Sequence, residues 1–322
     1  MKEQILKMLR ANQNEYLSGE ELCRRFNVSR TAIWKHIKDL QEEGYEIDAV
    51  RNKGYRLVSA PDIVTAAEIR EGLSTRRLGQ HIVAVKELDS TNVLAAKLAE
   101  TGEPDGTLVI ADCQTGGKGR RGKAWFSPPG TGIWMSLILR PHLPLAQAPQ
   151  LTLVAAVAVG QVLSDLAGHR AGIKWPNDIL FEDRKCCGIL TEMNMESEEI
   201  TRVIVGIGIN VNQTEIEFPD ELRDIATSLR IVAGRPFHRA KVVQRILERF
   251  ELLYDQYAEY GSFAPIREQW KQQSITLGRY VSAHTPRGLL TGLAVDIDEM
   301  GALVLETDSG RQKVYSADIQ VS

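Results

Sequence analysis

Apolar positions in the first sixty residues recur first with a helical and then with a strand period. The opening stretch "MKEQILKMLR" predicts an amphipathic helix over roughly Lys2 to Ala11. Ser18, followed three residues on by Glu21, is a capping-box signature that opens a second helix through Leu22 and Phe26. Ser29 caps a third, "RTAIWKHIKDLQEEG", in which Ile33, Ile37 and Leu40 recur at i, i+4 and i+7 as one buried stripe, and Gly44 ends it. "YEIDAVRNKGYRLV" then alternates, turns at Asn52–Lys53–Gly54 and alternates again, which predicts a hairpin. Helix, turn, helix and hairpin form the winged helix-turn-helix pattern.

After the linker "SAPDIVT" the chain mixes strands with helices. "HIVAVKELDS", "GTLVIADCQ", "GIWMSLILRP" and "RVIVGIGINVN" read as strands, and "KWPNDILFEDRKCCGILTEM" as a strand leading into a hairpin. "NVLAAKLAE", "PQLTLVAAVAVGQVLSDLAG" and "RAKVVQRILERFELLYDQY" read as helices, the second buried on all sides. Its apolar run at 151–163 is too short to span a bilayer. Hairpins mixed with helices predict an α+β fold with a largely antiparallel sheet. Beyond Trp270, short strands broken by Gly, Pro and Asp predict a small all-β barrel. The expected domains are therefore 1–62, 63–270 and 271–322.

A formal net charge of -3 excludes bulk attraction to nucleic acid, so any DNA contact must come from a local patch. Such a patch exists: Arg24 to Arg56 holds eight basic residues against five acidic. The candidate DNA-binding residues are Ser29, Arg30, Thr31, Trp34, Lys35 and Lys38 on the third helix and Arg51 and Lys53 on the wing. Four cysteines without a CxxC pair point to a reduced, cytoplasmic protein, and the charged N-terminus is unlike a signal peptide. No membrane association is expected.

The strongest chemical signal is "QTGGKGRRGKAWFSPPGTGIW", residues 114–134. Lys118, Arg120, Arg121 and Lys123 alternate with glycines, and no acid occurs between Asp112 and Asp165. Glycines let backbone amides approach an anion whose charge the cations neutralise. The spacing is not that of a P-loop; phosphate, pyrophosphate and a nucleic-acid backbone all remain open. "KWPND" places Lys174 at a strand end beside rigid Trp175 and Pro176, as either a surface or a catalytic lysine. In "VIVGIGINVN" one face carries Val203, Val205, Ile207, Ile209 and Val211, and the other is pared to glycine and asparagine. That second face admits a ligand or another part of the chain. In "DSTN", Ser90 and Thr91 cap a helix or meet a small polar ligand. Cys113 is a strand-closing apolar residue or a reactive thiol. No metal cluster and no GxSxG elbow stand out.

In this order the segments closely resemble the biotin–protein ligase family, in its bifunctional members that are also biotin operon repressors. The resemblance spans nearly the whole chain, and the glycine-cation loop and KWPND are its specific motifs. It implies a class II synthetase-like α+β core and an SH3-like C-terminal barrel. The implied enzyme activates biotin with ATP and Mg2+ to biotinyl-5′-AMP, with no resident metal. It then passes biotin to one lysine of a biotin carboxyl carrier protein domain. Ser90, Thr91, Asn92, Gln114, Lys118, Gly119, Arg120 and Lys174 are implied for biotin, and Arg120, Arg121, Trp125 and Asn210 for the nucleotide. Lys174 and Arg120 are the implied catalytic groups. Lys118 stands where the family often has arginine, so charge is kept and the bidentate fork is lost. The resemblance further implies biotinyl-5′-AMP as corepressor, a homodimer formed on its binding, and a palindromic operator. The rival readings are a lipoate–protein ligase, a ligand-sensing repressor without ligase activity, and a ligase whose winged helix only tunes catalysis.

Overall fold

A computed structural model describes residues 1–12, 15–141, 144, 147–195, 200–285, 288–315 and 317–321. The chain divides into two compact units, Met1–Asp62 and Ile63–Ser322.

In the first unit, α1 (Lys2–Ala11), α2 (Gly19–Phe26) and α3 (Arg30–Glu42) precede the antiparallel hairpin β1 (Glu46–Val50) and β2 (Gly54–Ser59). Ile5, Leu9, Leu22, Ile33, Ile37 and Leu40 are buried together, as the helical period requires. Ser18 and Ser29 accept the backbone N–H groups of Glu21 and Ala32 at 3.0 and 3.3 Å, satisfying helix N-termini that would otherwise be orphaned. Gly54 holds φ at +115°, and a Cβ there would meet the Leu17 carbonyl at 1.9 Å. Only glycine fits the base of the wing.

The second unit is built on a seven-stranded sheet in the order β3-β4-β5-β9-β8-β7-β6. The strands are β3 (Ile82–Leu88), β4 (Thr107–Gln114), β5 (Gly132–Leu139), β6 (Gly172–Lys174), β7 (Asp178–Phe181), β8 (Arg184–Met195) and β9 (Ile200–Asn210). Only the β3–β4 pair is parallel, because α5 (Thr91–Glu100) supplies the crossover that parallel neighbours need. One face of the sheet, with Val203, Val205, Ile207, Ile209 and Val211 of β9 and its continuation, is buried in the main core. That core also takes in α6 (Ala148–Ala167), α8 (Arg239–Tyr260) and α9 (Ala264–Gln273). The other face meets α5 through Ala95, Ala99, Val109, Ile138 and Ile204. Shorter helices α4 (Ala66–Arg70) and α7 (Leu229–Ala233), below the length that periodicity reveals, complete the helical layer.

Helix α6 runs longer than its 151–163 apolar run and is long and apolar enough to cross a bilayer by length and composition. It does not read as a span here, since 67% of its most apolar window lies buried inside the fold. The C-terminal strands β10 (Tyr280–Thr285), β11 (Gly288–Ile297), β12 (Leu303–Thr307), β13 (Gly310–Val314) and β14 (Asp318–Val321) form an antiparallel five-stranded sheet in the order β13-β12-β11-β10-β14. This is the small barrel-like domain that the Gly- and Asp-broken strands imply.

Candidate active site

A cavity of about 330 Å³ opens on the sheet face whose β9 residues are pared to glycine. Its floor is a chain of polar groups. The backbone N–H of Thr91 donates to Gln114 Oε1 at 2.8 Å, and Gln114 Nε2 donates to Ser127 Oγ at 2.9 Å. Asn92 Nδ2 donates to Glu192 Oε2 at 2.7 Å and to the Leu190 carbonyl at 3.3 Å. Fully buried Ser136 lies 2.7 Å from Thr91 Oγ1 and 2.6 Å from Asn92 Oδ1. Ser90 is the N-cap of α5 by backbone geometry, yet its side chain makes no cap bond. Ser90 lines the cavity instead, so the capping role open to "DSTN" is not one its side chain performs.

The glycines of β9 clear space for side chains. A Cβ on Gly206 would sit 2.2 Å from Asn92 Oδ1, and one on Gly208 would sit 2.5 Å from Trp125 Nε1. Trp125 therefore packs close against β9, and its indole N–H is buried without an acceptor among the described residues. A buried orphan donor in a cavity wall is suited to a ligand acceptor.

The glycine-cation loop closes on itself through Gly119 N to Lys123 O at 2.7 Å and Trp125 N to Gly117 O at 2.9 Å. Arg121 sits in the left-handed region at φ 54°. Lys118, Gly119, Arg120 and Lys123 line the cavity. Arg121 does not: its guanidinium donates to the His284 carbonyl at 3.2 Å and lies 3.8 Å from Asp318. Arg120 donates to Asn177 Oδ1 and to the Ala317 carbonyl, both at 3.3 Å, and its burial lowers its pKa. Burial alone would raise the Asp318 carboxyl, but Lys123 at 3.2 Å, with Arg121 and Arg120, holds it below the usual carboxylate range. Cations of this loop are thus pinned to the C-terminal sheet.

The segment KWPND divides its labour. Trp175, in a cis peptide with Pro176, bolts the sheet to the C-terminal strands. Its backbone N–H donates to Thr276 Oγ1 at 2.9 Å and its indole N–H to the Gly301 carbonyl at 3.1 Å. Asn177 and Asp178 face the cavity. Lys174 ends the outermost strand β6, paired with Asp178, and is not among the residues that line the cavity. Lys185 on β8, two strands further in, does line it. Its Nζ is 2.8 Å from Asp178 Oδ1 and 5.0 Å from the centroid of the Trp125 ring. The structure therefore does not bring Lys174 to the site for which its motif nominated it.

Asn210 was implied for the nucleotide, and the wall beyond it had no clear sequence signal. Asn210 lines the cavity, held by Thr227 O at 3.1 Å and Gln213 at 3.3 Å. Beyond it, Phe218, Leu222, Ile225 and Ala226 complete the cavity wall, and that segment is fastened by Lys185 N to Ile225 O at 2.8 Å. These apolar residues are scattered among charges with no helical or strand period, which is why the pattern passed over them. Burial, and then Glu87 and Asp112, push the Cys113 thiol up, which disfavours its thiolate. In the first unit, Ser29, Arg30, Thr31, Trp34, Lys35, Lys38, Arg51 and Lys53 are all exposed. Lys38 Nζ lies 5.5 Å from the Trp34 ring centroid.

Residues 2–56 match the model of an HTH domain, residues 84–210 that of the biotin/lipoate A/B protein ligase family, and residues 276–322 that of the biotin protein ligase C terminal domain. The chain is 48% identical to the bifunctional ligase/repressor BirA of Bacillus subtilis (strain 168), over 100% of this chain and 98% of the relative. It is 30% identical to the Escherichia coli (strain K12) protein of the same description, over 91% of this chain and 89% of that one. Among solved structures it is similar to the biotin protein ligase from Aquifex aeolicus in complex with biotin and ATP. That likeness has a TM-score of 0.66 and 32% identity, and covers 76% of this chain and 100% of that chain.

Proposed function

The chain belongs to the family of bifunctional biotin–protein ligases and biotin repressors, and from that premise we propose how its residues perform both tasks. It activates biotin with ATP to biotinyl-5′-AMP and transfers biotin to a lysine of a biotin carboxyl carrier protein domain. It also represses transcription. The observation that carries the ligase reading is the union, in one cavity, of a neutral polar relay with Lys118, Arg120, Lys123 and Lys185 around Trp125. Thr91 and Gln114 suit the N–H and C=O of a ureido ring; the dithiolane of lipoate offers neither. Ser90 and Asn92 complete that end, Gly119 lets the loop come close, and Asn210 lies toward the nucleotide.

Attack of a carboxylate on the α-phosphate brings two anions together and builds charge in the transition state. Arg120 and Lys185, already in place, stabilise that charge and align the reactants. Arg121, held on the C-terminal sheet, positions the loop. Mg2+ is proposed to arrive with ATP as counter-ion of the triphosphate. The carboxylates lining the cavity are Asp178 and Asp318. Asp178, beside Lys185, is placed to take a proton from the acceptor lysine.

Biotin-dependent ATP–pyrophosphate exchange tests the ligase half, with lipoate as control acid. Exchange with biotin alone is expected; exchange with lipoate of equal efficiency would overturn the reading. For the repressor half, biotinyl-5′-AMP is the proposed corepressor. It drives a homodimer that presents two α3 helices to a palindromic operator. Gel filtration with and without biotin and ATP should show the dimer only with both. Alanine at Lys53 should lower the slope of log affinity against log salt by about one, the signature of a lost phosphate contact. An unchanged slope would remove the wing from the contact.

A further inference from the structure

We propose that Ser136, which touches no ligand, is the positioning residue that sets the direction of the hydrogen bonds offered to the ureido ring; this rests on the biotin reading above. The direction follows from counting protons. Asn92 Nδ2 faces two groups that accept and do not donate at this contact, the Glu192 carboxylate at 2.7 Å and the Leu190 carbonyl at 3.3 Å. The amide is therefore oriented, and its Oδ1 is the atom turned to Ser136. At 2.6 Å that contact needs a proton, and only Ser136 has one to give. A hydroxyl carries a single proton. The 2.7 Å contact between the Ser136 and Thr91 oxygens is then filled by the proton of Thr91.

The consequence reaches the cavity. With its proton turned inward, Thr91 Oγ1 presents lone pairs to the ligand and acts as an acceptor. Gln114 Oε1 accepts the Thr91 N–H at 2.8 Å and lies 3.1 Å from Thr91 Oγ1, a longer contact than the 2.7 Å to Ser136, and one Nε2 proton goes to Ser127 at 2.9 Å. The other Nε2 proton is left as a donor. One acceptor beside one donor matches the N–H and C=O of a cyclic urea, and Ser136 is the nearer of the two oxygens that keep the Thr91 proton turned inward. It lies fully buried in the middle of β5, opposite Val109 and Gly206.

The test is exchange kinetics with biotin and with biotin methylated in turn at each ureido nitrogen, for the wild type and Ser136→Ala. In the wild type, methylation of the nitrogen facing Thr91 should raise KM roughly tenfold or more, the value of one buried hydrogen bond. In Ser136→Ala, KM for biotin itself should rise roughly tenfold while KM for ATP and kcat stay within about twofold. The methylation penalty should shrink about threefold, because the Thr91 proton is then held inward only by the longer 3.1 Å contact to Gln114 Oε1. An undiminished penalty in the variant overturns the role of Ser136. No penalty in the wild type at either nitrogen overturns the ureido reading itself. If Ser136→Ala does not fold, Ser136→Cys, which keeps a weak donor and acceptor, must show the same two changes at smaller size or the proposal fails.

Discussion

Replacing Lys185 by glutamine should lower biotin-dependent ATP–pyrophosphate exchange by about 10²–10³-fold, the usual loss when one preorganised charge is taken from a transition state. Lys185 meets Asp178 at 2.8 Å and the Trp125 ring at 5.0 Å, so its ammonium is held at the cavity wall from two sides. Its β8 backbone is fixed as well, by the pairing of its N–H with the Ile225 carbonyl at 2.8 Å. Lys174→Gln, on the outermost strand, should stay within about threefold of the wild type. The comparison is made at saturating biotin and ATP, so that kcat is read. Equal losses in the two variants would return Lys174 to the site. An unaffected Lys185→Gln would remove the proposed charge from the chemistry.

Replacing Arg239 by methionine should cost about 3–5 kcal/mol of stability, because it strands a carboxylate. Arg239 is 1% exposed, donates to Asp112 Oδ1 at 2.7 Å, and also holds the Gly132 carbonyl at 3.1 Å. Asp112 in turn accepts the Gly130 N–H at 3.2 Å. The pair thereby fastens the return of the glycine-cation loop into β5. Urea denaturation followed by tryptophan fluorescence measures the loss. The double change Arg239→Met with Asp112→Leu should recover much of it, since the isolated charge and not the absent pair carries the penalty. A double variant as unstable as the single one would show that Arg239 acts through packing instead.

The sequence by itself determined what is local or periodic. Ile33, Ile37 and Leu40 declared the buried stripe of α3, and the alternation of Val203 to Val211 declared which face of β9 meets the core. The cationic loop was legible because its charges are contiguous in the chain, and its glycines needed no knowledge of neighbours. Side chains at one end of a helix were equally plain: Ser29 caps α3 as its position demands.

Only the tertiary structure distinguishes the lysines eleven positions apart, 174 and 185, which look alike as residues in a motif. Strand order separates them, because β6 is the edge of the sheet and β8 lies two strands inside it, and of the two only Lys185 lines the cavity. The partners of the polar relay were hidden for the same reason: Ser136 and Asn92 are 44 residues apart, and Lys123 and Asp318 are 195. Nothing in local propensity registers such a contact. A hydrogen bond or charge pair across that distance is created only when the sheet closes. Which atom donates is fixed only when every neighbour is in place.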